Sequence, residues 1–471
     1  MRLEHHPILS FPTDKEVTFY YEGKEIEARK DETIAAALHA EGIAELCRSG
    51  DKHRSRGLFC AIGKCSSCLM KVDGVPNVRT CITMVRDGME VEKQDGFPQL
   101  DPNTPSLDPG PVRSKPTDVL VVGGGPAGLK AALTAADAGA EVLLVDENPH
   151  LGGQLIKQTH KFFGSTDQAA GTRGVDIGKN LLQQVESHPK IESMKATSAV
   201  GIYGEIVGAY KNQEYFFTIE PQKIIVATGA TEDMVKFPKN DLPGVYGAGG
   251  IQTLMNLYGI KPGEKVLMIG AGNVGLIVAY QLLQADVEVE AVVEIAPSIG
   301  GYFVHAAKLR RFGVPILTNH TVLKVDGDDR VEKVTVAELD CSGDIIPNSR
   351  KEYSVDVLAL GVGLSPSYKL LHNAECDLKL SPELGGYVPS RNRRMKTSRE
   401  NIFVAGDAAG IEEATSAILE GVIAGAAASL EIGRGGKKEQ ALISNSQKRL
   451  EELRAGPHSQ AVKKGLQEVL Q

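Results

Sequence analysis

Cysteine is scarce in this chain, seven in 471 residues. A chain of that length has ample material for buried cores and needs no disulfide staple. Basic charge is not in excess either: 52 Lys and Arg face 60 Asp and Glu, for a formal net charge of -8. That balance gives no general electrostatic pull toward DNA, RNA or anionic lipid. No apolar run approaches the roughly 18 residues that cross a bilayer. The opening MRLEHHPILSFPTDKE lacks the charged, then apolar, then small succession of a secretory signal. These absences predict a cytoplasmic protein. In that reducing compartment, clustered cysteines are more often metal ligands or redox groups than disulfides.

Glycine, by contrast, is abundant at 51 residues and points to many tight backbone turns. The length suits about three domains of ~150 residues. VTFYYEGKEIEA (17–28) reads as two short strands joined at Glu22-Gly23, and DETIAAALHAEG (31–42) as a helix capped by Asp31. TCITMVRDGMEVEKQDG (80–96) alternates as further strand. Prolines at 98, 102, 105, 109, 111 and 116 then mark an extended linker. Residues 1–100 are therefore expected as one domain, with the linker at 101–117. From Asp118, DVLVVGGGPAGLKAALTAADAGAEVLLVDEN reads as strand, glycine turn, helix and strand, and KVLMIGAGNVGLIVAYQLLQADVEVEAVVE (265–294) repeats the texture. Two strand-turn-helix-strand units in one chain imply two nucleotide-binding cores. The tail, 434–471, holds eight Lys and Arg against four Glu, with Leu442, Ile443, Leu450 and Leu453 at helical spacing. It reads as a docking helix or a solvated appendage.

Four of the seven cysteines crowd into LFCAIGKCSSCLMKVDGVPNVRTC (58–81), as Cys60, Cys65, Cys68 and Cys81. The first three match the plant-type C-x4-C-x2-C spacing for a [2Fe-2S] cluster. Small residues at Ala61, Gly63, Ser66 and Ser67 let the backbone curl around an inorganic core with N–H groups aimed at sulfur. Cys81 would arrive from a neighbouring strand. Structural zinc is the competing reading, but zinc ligands usually pair two short C-x2-C knuckles, unlike the intervals of four and twelve here. Cys47, Cys341 and Cys376 stand apart and read as small buried hydrophobes.

In the first glycine turn, Gly123, Gly125 and Gly128 follow an apolar strand and open a helix at Pro126 and Ala127. Such a turn lets backbone approach a pyrophosphate and aims a helix N-terminus at it. Asp146 lies 18 residues beyond Gly128 at the end of the next strand, beside Glu147, where a carboxylate can bind ribose hydroxyls. Gly270, Gly272 and Gly275, with Asn273 and Val274, form the second turn, and Glu294 lies 19 residues beyond Gly275. A carboxylate with no Arg close behind it suits NAD(H) better than NADP(H), and ATP or an unused fold relic stays open.

Two further stretches, IIVATGA (224–230) and NIFVAGDAAGIEEATSA (401–417), end apolar strands in small residues. With the two turns they make the chain resemble, over about 118–430, the two-dinucleotide-binding flavoproteins of the glutathione and thioredoxin reductase type. The resemblance implies FAD on the first turn, in a domain made of 118–245 and 371–433, and a nicotinamide or adenine nucleotide on the second, in a domain inserted at 246–370. It places Gly153, Gln154, Thr228, Gly229, Gly406, Asp407, Ala414 and Thr415 around FAD, and Gly361 beside the second nucleotide. Asp407 would face the ribityl and phosphate region, and the helix opening at Ala414 would direct its dipole to the flavin N1/O2 edge. Disulfide reductases of this type need a close cysteine pair by the flavin, and residues 118–430 contain none.

The expected fold is thus α/β, two Rossmann-like domains preceded by a β-grasp ferredoxin-like [2Fe-2S] domain. That combination, with LGGQLIKQTHKFFGS (151–165), resembles alpha subunits of heteromeric amino-acid oxidoreductases. Dye-linked proline and hydroxyproline dehydrogenases, opine oxidases, hydrogen cyanide synthase and sarcosine oxidase are of this kind. The resemblance implies a flavin-containing beta subunit that oxidises the amine, and it leaves room for a further small subunit. Several such chains end in another cysteine-rich module, whereas no cysteine follows Cys376 here. No acid or base is assigned, since His160 and Lys161 read as surface or packing residues.

Overall fold

The computed structural model describes residues 1–98, 113–161, 169–212, 215–456 and 459–470. Its helices are α1 (Ile34–Ala40), α2 (Pro126–Asp137), α3 (Gly174–Ser187), α4 (Ala248–Tyr258), α5 (Asn273–Gln284), α6 (Phe303–Arg311), α7 (Lys369–Asn373), α8 (Ala414–Glu431), α9 (Lys437–Leu453) and α10 (Gln460–Val469). Two compact units divide them. One joins the N-terminal segment to Glu232–Gly363; the other holds the described residues from Arg113 to Thr231 and from Leu364 onward.

The N-terminal segment opens on the expected hairpin, Val17–Tyr21 against Lys24–Ala28, in register from Val17↔Ala28 to Tyr21↔Lys24. Glu22 and Gly23 turn it at positive φ, 50° and 74°. Helix α1 is capped by Thr33, whose hydroxyl accepts the Ala36 N–H at 3.3 Å, and not by Asp31. The helix starts three residues later than expected, where the apolar run itself begins. Residues 80–89, expected as strand, form turns instead, and the strand proper is Glu90–Asp95, pairing parallel with Val17–Tyr21 and antiparallel with Leu69–Val72. Phe19, Leu38, Met70 and Val91 are buried at its core.

That core is continuous with the second nucleotide-binding fold, so Ile34 and Leu38 belong to one hydrophobic cluster with Ile251, Leu254 and Val266. A parallel sheet runs in the order Val245–Gly247, Val357–Leu360, Lys265–Ile269, Glu288–Val293, Ile316–Leu317. Parallel strands buried on both faces are near-continuously apolar, as Lys265–Ile269 and Val357–Leu360 are. Polar groups stitch the same seam. Arg29 Nη2 donates to the Tyr258 carbonyl and its Nε to Glu32 at 2.9 Å, while His39 Nε2 lies 2.9 Å from the Tyr246 hydroxyl.

The other unit has a seven-stranded sheet in the order Ile191–Met194, Val142–Val145, Arg113–Val122, Tyr215–Val226, Ile206–Lys211, Thr197–Tyr203, with Ile402–Val404 against Tyr215–Val226. Its first strand begins at Arg113, five residues ahead of the expected Asp118, and Pro116 pairs with Glu220 within it. Residues 101–112 of the expected linker lie outside the described residues. Strand Val245–Gly247, which straddles the expected boundary at 245/246, lies wholly in the other sheet. Leu364–Pro366, expected in the inserted domain, and all of α7, which crosses the expected boundary at 370/371, fall in this unit. The tail docks here: Ile443 and Leu450 of α9 join the core, and Leu466 and Val469 of α10 cluster with Leu384 and Val388.

Burial holds His39 neutral and pulls its pKa down to about 4. A folded value below the unfolded one means stability is full above the unfolded pKa near 6.5 and falls as pH drops toward 4. Denaturant unfolding of the N-terminal unit is expected to lose up to ~3 kcal/mol across that window. A His39→Gln variant, which cannot titrate, should show a flatter profile over the same range.

Candidate functional site

The cysteine loop spans the segment between strands Ser55–Arg56 and Leu69–Val72. It turns through three left-handed residues, Ala61 (φ 51°), Gly63 (φ 78°) and Ser66 (φ 60°), which is the curl that bringing successive thiols to one place requires. Cys60 lies near enough to Cys65 and Cys81, and Cys81 to Cys68, for these thiols to shift one another's titration, so the four predicted ligands converge. The Gly63 N–H donates to Cys81 Sγ at 3.3 Å and the Lys64 N–H to Cys60 Sγ at 3.4 Å. Hydrogen bonds from its partner thiols hold Cys60 well below the usual thiol range, while the same sharing and burial push Cys81 up. Cys81 lies in the turn just past strand Val75–Arg79, not on a strand as expected.

Among the described residues, no three His, Cys, Asp or Glu side chains are arranged to hold a single metal ion. A two-iron core needs four terminal thiolates, divided between its irons, with N–H groups on sulfur, and the four cysteines of this loop with the Gly63 and Lys64 N–H groups would fit that need. The loop rests on α4. The Phe59 carbonyl accepts the Gly247 N–H at 3.1 Å, and a Cβ on Gly250 would stand 2.0 Å from that carbonyl. Cys47 and Cys376 are buried as expected, but Cys341 is exposed, because it sits at the polar turn Asp340–Asp344.

The two glycine turns are built alike. Gly123 has φ 108° and Gly270 φ 100°; a Cβ on either would lie 2.2 Å from a carbonyl of the neighbouring strand end, Ala227 or Gly361. A Cβ on Gly128 would meet the Gly123 carbonyl at 1.8 Å, and one on Gly275 the Gly270 carbonyl at 2.1 Å. Gly125 and Gly272 face open space: only Gly153 Cα approaches the first, at 3.9 Å, and nothing the second within 4 Å. No side chain caps α2 or α5, so their first-turn N–H groups are left to a ligand anion. These turns fit dinucleotide pyrophosphates.

Asp146 and Glu294 occupy equivalent places, and each first holds its own loop. Asp146 Oδ2 accepts the Gly124 N–H and Glu294 Oε2 the Ala271 N–H, both at 2.6 Å. Asp146 Oδ1 accepts from the Asn148 N–H and side chain, at 2.8 and 3.0 Å, and Glu294 Oε1 the Ala296 N–H at 2.9 Å. A carboxylate oxygen has two lone pairs, so Asp146 Oδ1 is filled by its two Asn148 donors, while Asp146 Oδ2 and both Glu294 oxygens, with one donor each, could accept a ribose hydroxyl as well. Desolvation pushes Asp146 up. Glu147 is next to it and half-buried.

Gly153 stands over the first turn, where its Cβ would lie 2.8 Å from Gly125 Cα, and Gln154 follows it into a short helical turn. Thr228 Oγ1 donates to the Ser367 carbonyl at 3.0 Å, and Gly229 takes φ 68°. Gly406 packs against Ala127 of α2. Burial, reinforced by the carboxylates of Glu420 and Glu412, pushes Asp407 up to about 7. Ala414 and Thr415 open α8. In the second turn the Asn273 side-chain oxygen accepts the Tyr302 N–H at 2.8 Å, while Val274 is exposed. His160 is half-buried and Lys161 exposed.

Sequence reasoning missed a buried charge cluster of Arg391, Glu412, Glu420 and Arg454 behind Gly406. The signal was Glu420, the only charge between Ala414 and Leu430.

Paired nucleotide folds with a cluster-bearing loop define an FAD-dependent oxidoreductase with an N-terminal iron–sulfur domain. Residues 117–421 match the pyridine nucleotide-disulphide oxidoreductases and residues 14–96 the 2Fe-2S iron-sulfur cluster binding domain. The chain belongs to the pyridine nucleotide-disulphide oxidoreductase family. It is 27% identical to the alpha subunit of sarcosine oxidase from Rhizobium meliloti (strain 1021) over 400 residues, 70% of this chain and 40% of that one. It is 29% identical to an opine oxidase subunit of Rhizobium meliloti over 347 residues, 67% of this chain and 63% of that one. The solved L-proline dehydrogenase from P. horikoshii superposes with a TM-score of 0.71 at 26% identity, covering 95% of this chain and 79% of that one. The chain spans less than half the length of the sarcosine oxidase alpha subunits that it matches. Among the described residues, no helix is long and apolar enough to cross a membrane.

The anaerobically purified protein is expected to carry about two irons per chain. Cys68→Ser should lower that content and bleach the visible iron–sulfur absorption, read by iron assay and spectrum. Gly250→Ala, which drives a methyl into the Phe59 carbonyl, should destabilise the unit by ~1–3 kcal/mol in denaturant melts.

Proposed function

We propose that this chain is the electron-transfer subunit of a heteromeric amino- or imino-acid dehydrogenase acting in the cytoplasm. Its substrate, of the proline, hydroxyproline, sarcosine or opine class, is oxidised on a flavin-containing partner subunit. The observation that carries the reading is one chain holding a converged four-thiol loop and two dinucleotide turns, with no close cysteine pair in 118–430 to relay electrons as a dithiol. The names of its relatives, oxidases and dehydrogenases of amino acids and amines, support the substrate class.

When bound, FAD supplies two-electron exchange with a donor and the [2Fe-2S] group supplies single-electron transfer. Gly123, Gly125, Gly128 and the N-terminus of α2 would hold the FAD pyrophosphate, and Asp146 its ribose. Asp407 and the N-terminus of α8 would face the ribityl and flavin end. Cys60, Cys65, Cys68 and Cys81 would ligate the cluster, with Gly63 and Lys64 N–H groups on two of the sulfurs. Gly270, Gly272, Gly275, Gly361 and Glu294 would hold NAD(H) or ATP. The domain roles follow: a ferredoxin-like segment, an FAD domain in two parts and an inserted second nucleotide domain.

Co-purification from the native source tests this. A second flavin-containing polypeptide should travel with the chain, and one of proline, hydroxyproline, sarcosine or an opine should reduce a dye through the complex. A chain that purifies alone, with NADH reducing its flavin at a rate matching turnover, would instead identify a self-contained NADH-dependent reductase. The nucleotide released on denaturation, NAD or ATP, assigns the second site.

A further inference from the structure

The charge cluster behind Gly406 lies outside everything the function above uses. Glu420 is 3% exposed. Its Oε2 accepts the Gly406 N–H at 3.0 Å, and its Oε1 accepts from Arg454 Nη2 at 2.8 Å. Arg454, at the C-terminal end of α9, also donates to Glu412, from Nε at 3.0 Å and Nη2 at 2.5 Å. Arg391 Nη2 stands 3.8 Å from Glu420, an ion pair too long for a hydrogen bond, and the Nε and Nη1 of Arg391 have no hydrogen-bond partner among the described residues. Gly406 takes φ 70°, and a Cβ there would meet Ala127 Cβ at 2.9 Å. Ala127 in turn lies in the first turn of α2, where a Cβ on Gly421 would stand 2.2 Å from its carbonyl. A chain of direct contacts therefore runs from the tail helix to the first glycine turn.

We propose that Arg454 is a positioning residue for the flavin site, acting through Glu420 on the Gly406-Asp407 turn. The inference rests on the reading that FAD occupies the first turn. A carboxylate this deeply buried stays ionised only beside a cation, and an ionised carboxylate is the stronger acceptor for a backbone N–H. Without Arg454, Glu420 keeps only the longer pairing with Arg391 against its burial and the charge of Glu412, so it shifts toward the protonated form, its grip on Gly406 weakens, and the turn that faces the flavin loosens. The tail thus reaches the cofactor site without touching the cofactor.

The test uses the full chain and its variants, with FAD affinity of the apoprotein and the flavin midpoint potential as readouts. Arg454→Met should weaken FAD binding at least tenfold. The pair Arg454→Met with Glu420→Gln, which removes one charge of each sign and keeps an amide oxygen for Gly406, should restore affinity to within threefold of wild type. Glu420→Gln alone should keep affinity but raise the flavin midpoint, since one negative charge has left; the double variant should return it. A purely structural strut would leave the potential unmoved. Arg454→Met with unchanged affinity overturns the inference, and so does a double variant that is as impaired as the single, whether by misfolding or by FAD loss. A misfolded single variant whose double folds and binds FAD supports it. Wild-type protein that binds no FAD instead overturns the cofactor reading, and this inference falls with it.

Discussion

Two helices in this protein stand with their N-termini directly over the ends of buried parallel strands, and they do so because four positions have no Cβ. At Gly123 and Gly270 the backbone takes a left-handed turn against the next strand end; at Gly128 and Gly275 the helix lies on the turn it has just left. Any side chain there would overlap a carbonyl. The close approach sets where the uncapped N–H groups of α2 and α5 point. It also sets where Asp146 and Glu294 must reach back to tie each loop. The fit of both turns to a pyrophosphate is thus a consequence of helix-on-strand packing more than of any single side chain.

The iron–sulfur loop obeys the same logic on a smaller scale. Left-handed turns at Ala61, Gly63 and Ser66 bring thiols and N–H groups to one side, and the opposite side is laid on α4, where only glycine at 250 leaves room for the Phe59 carbonyl. The N-terminal segment is therefore not a bead on a string. Its core merges with that of the second nucleotide-binding fold, with Arg29 on the Tyr258 carbonyl and His39 on the Tyr246 hydroxyl as polar pins.

The parts legible in the sequence are those with short, local causes. The Glu22-Gly23 hairpin and the glycine turns with their acids follow from neighbouring residues and backbone conformation, while the opening of α8 at Ala414 comes from the family resemblance. Where the expectation missed, a nonlocal contact was usually responsible. Strand Arg113–Val122 extends through Pro116 because Tyr215–Val226 offers it a partner along its length. Strand Val245–Gly247 changes sheets because Val357–Leu360, more than a hundred residues on, lies beside it. Asp31 lost the cap of α1 to Thr33 by two positions, a margin that composition does not resolve. The cluster of Arg391, Glu412, Glu420 and Arg454 was invisible because its members are scattered along the chain, and only folding makes a lone glutamate in an alanine-rich helix into a pivot.

The amino-acid order alone carried the chemistry: which residues can bind sulfur-bridged iron, which turns can cradle a pyrophosphate, and that no dithiol lies between. Those properties depend on spacings of a few residues, which covalent geometry keeps. Folding alone settled the company each part keeps, such as the seat of the cysteine loop on α4 and the grip of α9 on the turn at Gly406. Contacts of that kind join segments far apart in the chain, and their energies come from burial and charge pairing that exist only once the cores have closed.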